Sequence, residues 1–359
     1  MKPAPLAGFP NPRALCASAR NPKNLPPQKK IRTNLPPLPI LPTLKQLPTL
    51  NNHYDIIIIG GSYAGLAAGM ALGRSLRKVL IIDSGNPCNK QTPYSHNFLT
   101  NDGKTPKEIN SLAKEQVLLY KTVNFVNGHA VTAGRTGNGF EIKTGEGENF
   151  TSRKLVLASG IKDAVPDLPG FKECWGISLL HCPYCHGYEV KHLKTGLVAN
   201  GDIGYEFSAL LNNWTKDLTL YTNGPSKLNA DQETLLKKQG IGIIETEIES
   251  LDHIDGQIQS LVFKNGKKAP LEALYARFPF VQHSSIPQSI GCEMTEDGYI
   301  KIDAAQKTTV PGVFACGDNT SRMRTVANAV SAGTSTGLFI NKELVEEDFL
   351  HAGSSVCAE

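Results

Sequence analysis

The chain has 359 residues, of which 40% are hydrophobic and 19% are charged, and it contains no apolar run of about 18 residues that could span a bilayer. This length predicts two domains of roughly 100 to 200 residues each. The net charge of +4 comes from residues 1–50, which carry eight Lys or Arg and no acid, so the rest of the chain stands at −4. The composition therefore argues against both a membrane protein and a nucleic-acid-binding protein.

Residues 1–53 form a basic, proline-rich tail, and 12 of the 23 prolines fall within its first 50 residues. Proline runs favour extended polyproline conformations, so we expect the tail to be disordered. A translated leader, a misassigned start and an organelle targeting segment are the alternatives. The single serine and the lack of an amphipathic helix pattern count against targeting.

The first folded unit is predicted to be a βαβ unit that starts at Tyr54. The isoleucines at 56–59 predict a buried strand, which a glycine turn, a helix over 64–76 and a second strand ending at Asp83 follow. Three small residues take the GxGxxG positions of a dinucleotide-binding turn, and Asp83 lies where a carboxylate can bind a ribose hydroxyl. The residues assigned to this nucleotide site are Gly60, Gly61, Ser62, Ala64, Gly65 and Asp83.

A redox motif, HCPYCHGYE, occupies residues 181–189. Cys182 and Cys185 can close a small disulfide ring, and nearby positive charge or helix amides can activate one thiol as a thiolate. His186 titrates near neutral pH and can exchange a proton with a thiol, whereas His181 is predicted to be structural. A closed zinc site needs about four ligands, and all would come from six consecutive residues, so we predict no metal. An inert cysteine pair is the other alternative.

A second glycine turn follows at residues 195–204, where Ala199, Gly201 and Gly204 take the motif positions. The next strand ends in Thr222-Asn223-Gly224. An arginine there would bind the 2′-phosphate of NADPH, and a carboxylate would suit NADH. Neither is present, so the sequence leaves NAD(P)H binding at this turn open.

Two further segments complete the pattern. An apolar strand over 312–316 leads to Gly317 and Asp318 and then to a helix from about Thr325 to Ile340. The stretch LVLASGIKDAVPDLPG lies at residues 155–170. The segments from about 54 to 345 together resemble the low-molecular-weight thioredoxin reductase family.

The resemblance implies an α/β fold with two Rossmann-like, three-layer dinucleotide-binding domains. The FAD-binding domain is discontinuous, over 54–168 and 286–345, the inserted NAD(P)-type domain with the CxxC motif covers 169–285, and a tail covers 346–359. FAD would contact the first turn, Gln91, Gly317 and Asp318. Cys185 would face the flavin, and Cys182 would exchange with the substrate. His96 and Asn97 either line the flavin or cap the next helix.

The resemblance also implies the activity. The chain is predicted to be an FAD-dependent disulfide/dithiol oxidoreductase acting on a thioredoxin-like protein or a small dithiol or disulfide. Because the basic cluster for NADPH is missing, it also resembles dithiol oxidases that use O2 without NAD(P)H. A non-catalytic flavin-binding redox sensor is the third alternative. The eight cysteines do not form a secreted disulfide framework, so we expect a cytoplasmic location. The family resemblance implies a homodimer.

Overall fold

The computed structural model describes residues 52–137 and 139–356. The predictions for residues 1–51 lie outside these described residues. None of the helices in the described part of the chain combines the length and the apolar composition that a bilayer span requires.

The described elements alternate between strands and helices in the order typical of an α/β fold. The strands are β1 (His53–Ile59), β2 (Val79–Asp83), β3 (Val123–Asn127), β4 (Ala130–Thr136), β5 (Gly139–Thr144), β6 (Asn149–Leu157), β7 (Ile161–Asp163), β8 (Leu179–Leu180), β9 (Thr195–Val198), β10 (Leu218–Tyr221), β11 (Gly242–Ile244), β12 (Ile248–Ile254), β13 (Gln257–Phe263), β14 (Lys268–Pro270), β15 (Ala273–Ala276), β16 (Phe280–Gln282) and β17 (Val313–Ala315). The helices are α1 (Tyr63–Arg74), α2 (Pro106–Leu118), α3 (Phe171–Cys174), α4 (Pro183–His186), α5 (Gly201–Leu211), α6 (Ala230–Lys238), α7 (Ile286–Ser289) and α8 (Val326–Val356).

Four sheets organise these strands, two large ones and two small ones, and one of the small ones is the antiparallel sheet β12-β13-β14. The first large sheet has seven strands in the order β3-β2-β1-β6-β5-β4, with β17 paired to the end of β6. Strands β1, β2, β3, β6 and β17 run parallel, and β4 and β5 are antiparallel. The second sheet is parallel throughout, in the order β11-β10-β9-β15-β8. A short antiparallel pair, β7 with β16, lies on the two chain segments that run between the sheets.

The isoleucine run forms the centre of the first sheet, as predicted. Ile56, Ile57 and Ile58 are fully buried, because helices and strands cover both faces of a parallel sheet. Helices α1 and α8 pack closely through small residues, and a Cβ added at Gly333 would lie only 2.0 Å from the Ala64 carbonyl oxygen. Since β1 and β17 are both parallel to β6, the turns after them reach the same edge of the sheet.

Helix α8 is longer than predicted, because it continues to Val356 rather than ending near Ile340 and giving way to a tail at 346. Ion pairs with β6 hold its second half. The Lys154 ammonium lies 2.5 Å from a carboxylate oxygen of both Glu343 and Glu347. The polar sequence after Ile340 is thus a helix face paired to the sheet, which residue patterns alone did not indicate.

We expect Lys154→Ala to lower the free energy of unfolding by about 2 kcal/mol, because it removes the ammonium that both carboxylates share near a buried position. After the substitution, Glu343 keeps its ion pair with Lys307, and Glu347 keeps its ion pair with Arg153. The Lys154 side chain is only 8% exposed. Urea unfolding of the variant, followed by circular dichroism, measures the change. Lys301→Ala is the matched control, since its exposed pair with Glu293 contributes at most about 1 kcal/mol. Equal midpoints for both variants would contradict the expectation.

Candidate active site

A cleft opens where β1, β6 and β17 end. It brings together segments that are more than 200 residues apart in the sequence. The predicted site residues that line it are Gly60, Ser62, Ala64, Asp83, Cys185, His186, Gly317 and Asp318. The first glycine turn, the redox motif and the distal Gly-Asp motif therefore share one cleft.

The turn between β1 and α1 has the close packing that its glycines predict. Gly60 has a φ of +107°, and a Cβ there would lie 2.2 Å from the Ala158 carbonyl oxygen. A Cβ at Gly65 would lie 1.8 Å from the Gly60 carbonyl oxygen, so only glycine lets α1 begin this close to the strand. Among the described residues, the Ser62 side chain makes no capping hydrogen bond, and the first turn of α1 has no acid. Its amides are therefore available to an anionic group.

Asp83 ties the end of β2 to this turn. One of its carboxylate oxygens accepts a hydrogen bond from the Gly61 amide at 2.9 Å, and the other accepts one from the Gly85 amide at 3.2 Å. Gly61 itself is not in the cleft lining, and a Cβ there would lie 2.8 Å from Asp83 Cβ. The carboxylate thus braces the loop at the cleft.

The redox motif forms a short helix beside the cleft. Cys182 caps α4 with extended backbone, Pro183 takes the first helical position as predicted, and Cys182 and Cys185 form a disulfide with a Cα–Cα distance of 5.3 Å. Cys185 lines the cleft and Cys182 does not. Tyr184, between them, is exposed.

Two histidines flank the disulfide inside the cleft. Burial lowers the pKa of His186 to about 4, and the neighbouring His96 adds to this effect. Burial also lowers the pKa of His181 to about 4, with a further contribution from the Arg324 guanidinium. Both imidazoles are therefore neutral at pH 7, and His186 can accept a proton from a thiol.

These histidines make the free energy of unfolding fall as the pH is lowered. Each binds a proton near pH 6.5 when unfolded but only near pH 4 when folded, so stability is lost as the pH falls from 6.5 towards 4. Between about pH 7 and 5, we expect His186→Gln to lose roughly 1 to 2 kcal/mol less unfolding free energy than the parent. Urea unfolding at both pH values measures this. The exposed His192→Gln is the control, and the same loss in His186→Gln as in the parent would contradict the expectation.

A partly buried ion pair that the sequence did not predict lies at the cleft, where Arg324 belongs to the lining. The Arg324 guanidinium binds both carboxylate oxygens of Asp163, at 2.8 and 2.7 Å, and its Nε lies 4.0 Å from Asp318. The two partners are 161 residues apart, so no local pattern reveals their pairing. Asp163 is the last residue of β7, and Arg324 lies just before α8. The ion pair therefore connects β7 to the start of α8.

Gln91, which the family resemblance assigned to the cofactor, is not in the cleft lining. It lies beside Gly176, where an added Cβ would be 2.8 Å from its Nε2. His96 does line the cleft, whereas Asn97 does not. The roles of these side chains towards a cofactor stay predictions.

The second glycine turn lies outside the cleft and is closed by its own side chains. Asn200 Oδ1 accepts hydrogen bonds from the Gly201 and Lys227 amides, each at 2.8 Å. Its Nδ2 donates to the carbonyl oxygens of Thr222 and Pro225, at 3.2 and 2.9 Å. An acid, Asp202, stands in the first turn of α5. A Cβ at Gly204 would lie 3.4 Å from Ala199, an ordinary contact distance, so the packing there does not require glycine.

The cleft fits FAD on two grounds. The uncapped start of α1 offers free amides to a pyrophosphate, and the glycines keep side chains out of the approach. Ser159 Oγ and Arg324 Nε, both in residues of the cleft lining, are buried and have no hydrogen-bond partner in the described part of the chain. Within residues 52–137 and 139–356, no group of three or more His, Cys, Asp or Glu is placed to hold a metal ion.

Comparison with known proteins gives consistent matches. The pyridine nucleotide-disulphide oxidoreductase family matches residues 54–333. A relative from Claviceps purpurea, thioredoxin reductase tcpT, is 30% identical over 311 residues, which is 83% of this chain and 96% of that protein. An oxidoreductase from Agrobacterium tumefaciens is 33% identical with a TM-score of 0.77, over 82% of this chain and 99% of that one. The putative thioredoxin reductase TrxB from Bacillus anthracis is 27% identical with a TM-score of 0.79, again over 82% and 99%. These structures confirm the predicted fold class.

Proposed function

Since this chain belongs to the pyridine nucleotide-disulphide oxidoreductase family and is an FAD enzyme of thioredoxin reductase-like type, we propose that it passes electrons between the flavin and the Cys182–Cys185 pair. An external dithiol or disulfide is the substrate. The observation that carries the proposal is the shared cleft, in which Cys185 and His186 face the same space as the Gly60 and Gly317 turns.

The chain's own residues divide the work. Cys182 is the cysteine of the pair that does not line the cleft. A substrate thiolate attacks its sulfur, a mixed disulfide forms, and the Cys182–Cys185 bond breaks. Cys185 leaves as a thiolate, and His186, neutral at pH 7, takes up the proton that the substrate thiol gives up. FAD, when bound, supplies a two-electron acceptor and donor.

A dithiol oxidase, with O2 as the electron acceptor, is the second candidate. It is favoured by the second glycine turn, where Asn200 already uses the Gly201 amide that a pyrophosphate would need. Asp202 adds negative charge at the helix end that should attract phosphate. The first turn differs on both points, because α1 has neither a side-chain cap nor an acid in its first turn. The contrast supports FAD binding at α1 and weak nicotinamide binding at α5.

Anaerobic reduction of the flavin separates the two directions. If the chain is an oxidase, we expect a dithiol to bleach the visible flavin absorbance and air to restore it, while NADPH and NADH leave it unchanged. Asn200→Gly, which frees the amides, is expected to increase bleaching by NADPH, and Asn229→Gly, at the cap of α6, is the matched control. Rapid bleaching of the parent by NADPH would instead establish the reductase. Bleaching by neither reagent would overturn the proposed function.

The domain limits and the partners belong to the same proposal. The separate sheets support an FAD-binding domain over 54–168 and 286–345 with 169–285 inserted. The relatives described as thioredoxin reductases support a thioredoxin-like substrate, alongside a small dithiol. Homodimer formation and a cytoplasmic location stay predictions.

A further inference from the structure

His96 reaches from the loop after β2 to the segment after the redox helix. Its Nε2 lies 3.6 Å from Glu189 Oε1, and its Nδ1 lies 3.6 Å from Asp102 Oδ1. The loop is braced around it, because Ser95 pairs with Lys104 through the backbone and Asp102 accepts a hydrogen bond from the Asn97 amide at 2.7 Å. The imidazole is thus held between two carboxylates from two segments of the chain.

The groups that face His96 become steadily more exposed away from the disulfide. His186 lines the cleft directly after Cys185, and His96 lines the same cleft with a side chain that is 18% exposed. Glu189 is 37% exposed and Asp102 is 67% exposed. His186 and His96 thus share the cleft, and two more exposed carboxylates flank His96.

The proposed reaction has to move protons as well as electrons. Oxidation of a dithiol to a disulfide releases two electrons and two protons, the electrons go to the flavin, and each proton that the flavin does not take up has to reach solvent. Burial holds the pKa of His186 at about 4, so this imidazole keeps a proton only briefly at pH 7 and needs an acceptor close by. In the reducing direction, the same groups bring protons in.

We propose that His96 relays protons between His186 and solvent, with Glu189 and Asp102 as the surface acceptors. This inference rests on the proposed function of the Cys182–Cys185 pair. His96 touches neither the substrate nor the disulfide in this scheme, so it is a positioning residue that acts through His186.

The test is single-turnover reduction of the FAD-loaded enzyme by a dithiol under anaerobic conditions, in weak buffer. We expect His96→Asn to slow flavin bleaching by about 10- to 100-fold and added imidazole to restore much of the rate. Glu189→Gln, which keeps the side-chain shape, should slow flavin bleaching less than His96→Asn does, and added imidazole should again restore much of the rate. The exposed His192→Asn is the matched control and should bleach at the parent rate. Flavin content and circular dichroism show that each variant is folded.

A second readout does not depend on turnover. Because His96 contributes to the low pKa of His186, His96→Asn should raise that pKa, measured by NMR titration of the histidine ring. Unchanged bleaching in His96→Asn, or slower bleaching that imidazole does not restore together with an unchanged His186 pKa, overturns the relay. If the parent enzyme itself is not bleached by a dithiol or by NAD(P)H, the proposed function fails and the relay fails with it.

Discussion

Cys185→Ser is expected to reduce dithiol-dependent turnover by about 1000-fold or more while the protein keeps its fold and its FAD. A serine hydroxyl cannot form the disulfide with Cys182, and it does not ionise near neutral pH as a thiol can. The substitution replaces one sulfur atom by oxygen and changes the volume of the side chain very little. Turnover is measured with a dithiol substrate, and FAD is measured by the visible absorbance of the purified variant.

Two further variants make this result specific. Cys182→Ser should also stop turnover, because Cys185 then has no disulfide partner and the substrate thiolate has no disulfide to attack. Cys292→Ser is the control. This thiol is buried, contacts Thr308 Oγ1, lies outside the cleft lining and belongs to no disulfide. Retained turnover in Cys185→Ser, with flavin bound, would show that electrons reach the flavin by another route and would remove the assigned roles of both cysteines.

The parts of the fold that the sequence predicted are those set by neighbouring residues. The strand at 56–59, the turn at Gly60 and the helix after it depend on a hydrophobic run and on backbone freedom within about ten residues. The same holds for Pro183 at the start of the redox helix. The meeting of the Gly60 and Gly317 turns in one cleft followed from parallel topology, since β1 and β17 both run parallel to β6 and the turns at their carboxyl ends lie at one edge of the sheet.

The parts that the sequence did not predict depend on partners that are distant along the chain. Arg324 finds Asp163 across 161 residues, and the second half of α8 is held by Lys154 on β6. Asn200 closes the second glycine turn through hydrogen bonds to Pro225 and Lys227 in the loop after β10, and these partners are about 25 residues away along the chain. Gln91 was assigned to the cofactor by family resemblance, and its neighbour Thr92 lines the cleft while Gln91 does not.

Gly65→Ala is expected to have the largest effect on stability and to remove FAD. The added Cβ would lie 1.8 Å from the Gly60 carbonyl oxygen and 3.3 Å from Ile58 Cγ2. The oxygen belongs to the backbone of the turn that follows the central strand, so the clash is relieved only if α1 moves away from the sheet. Overpacking usually costs about 1 to 3 kcal/mol, and a backbone clash belongs at the upper end or above it. Urea unfolding and flavin absorbance measure the two effects.

Comparison with Gly69→Ala and Gly134→Ala tests whether the close approach at Gly65 is the cause. At Gly69, also in α1, the added Cβ would meet the end of the flexible Ile81 side chain at 2.7 Å, so a smaller loss of stability is expected and FAD should stay bound. At Gly134, in β4, nothing lies within 4 Å, and little change is expected. Suppose instead that Gly65→Ala binds FAD and unfolds at the same urea concentration as Gly134→Ala. Then α1 does not start as close to β1 as described, and the proposal that its first turn binds the phosphates of FAD is wrong.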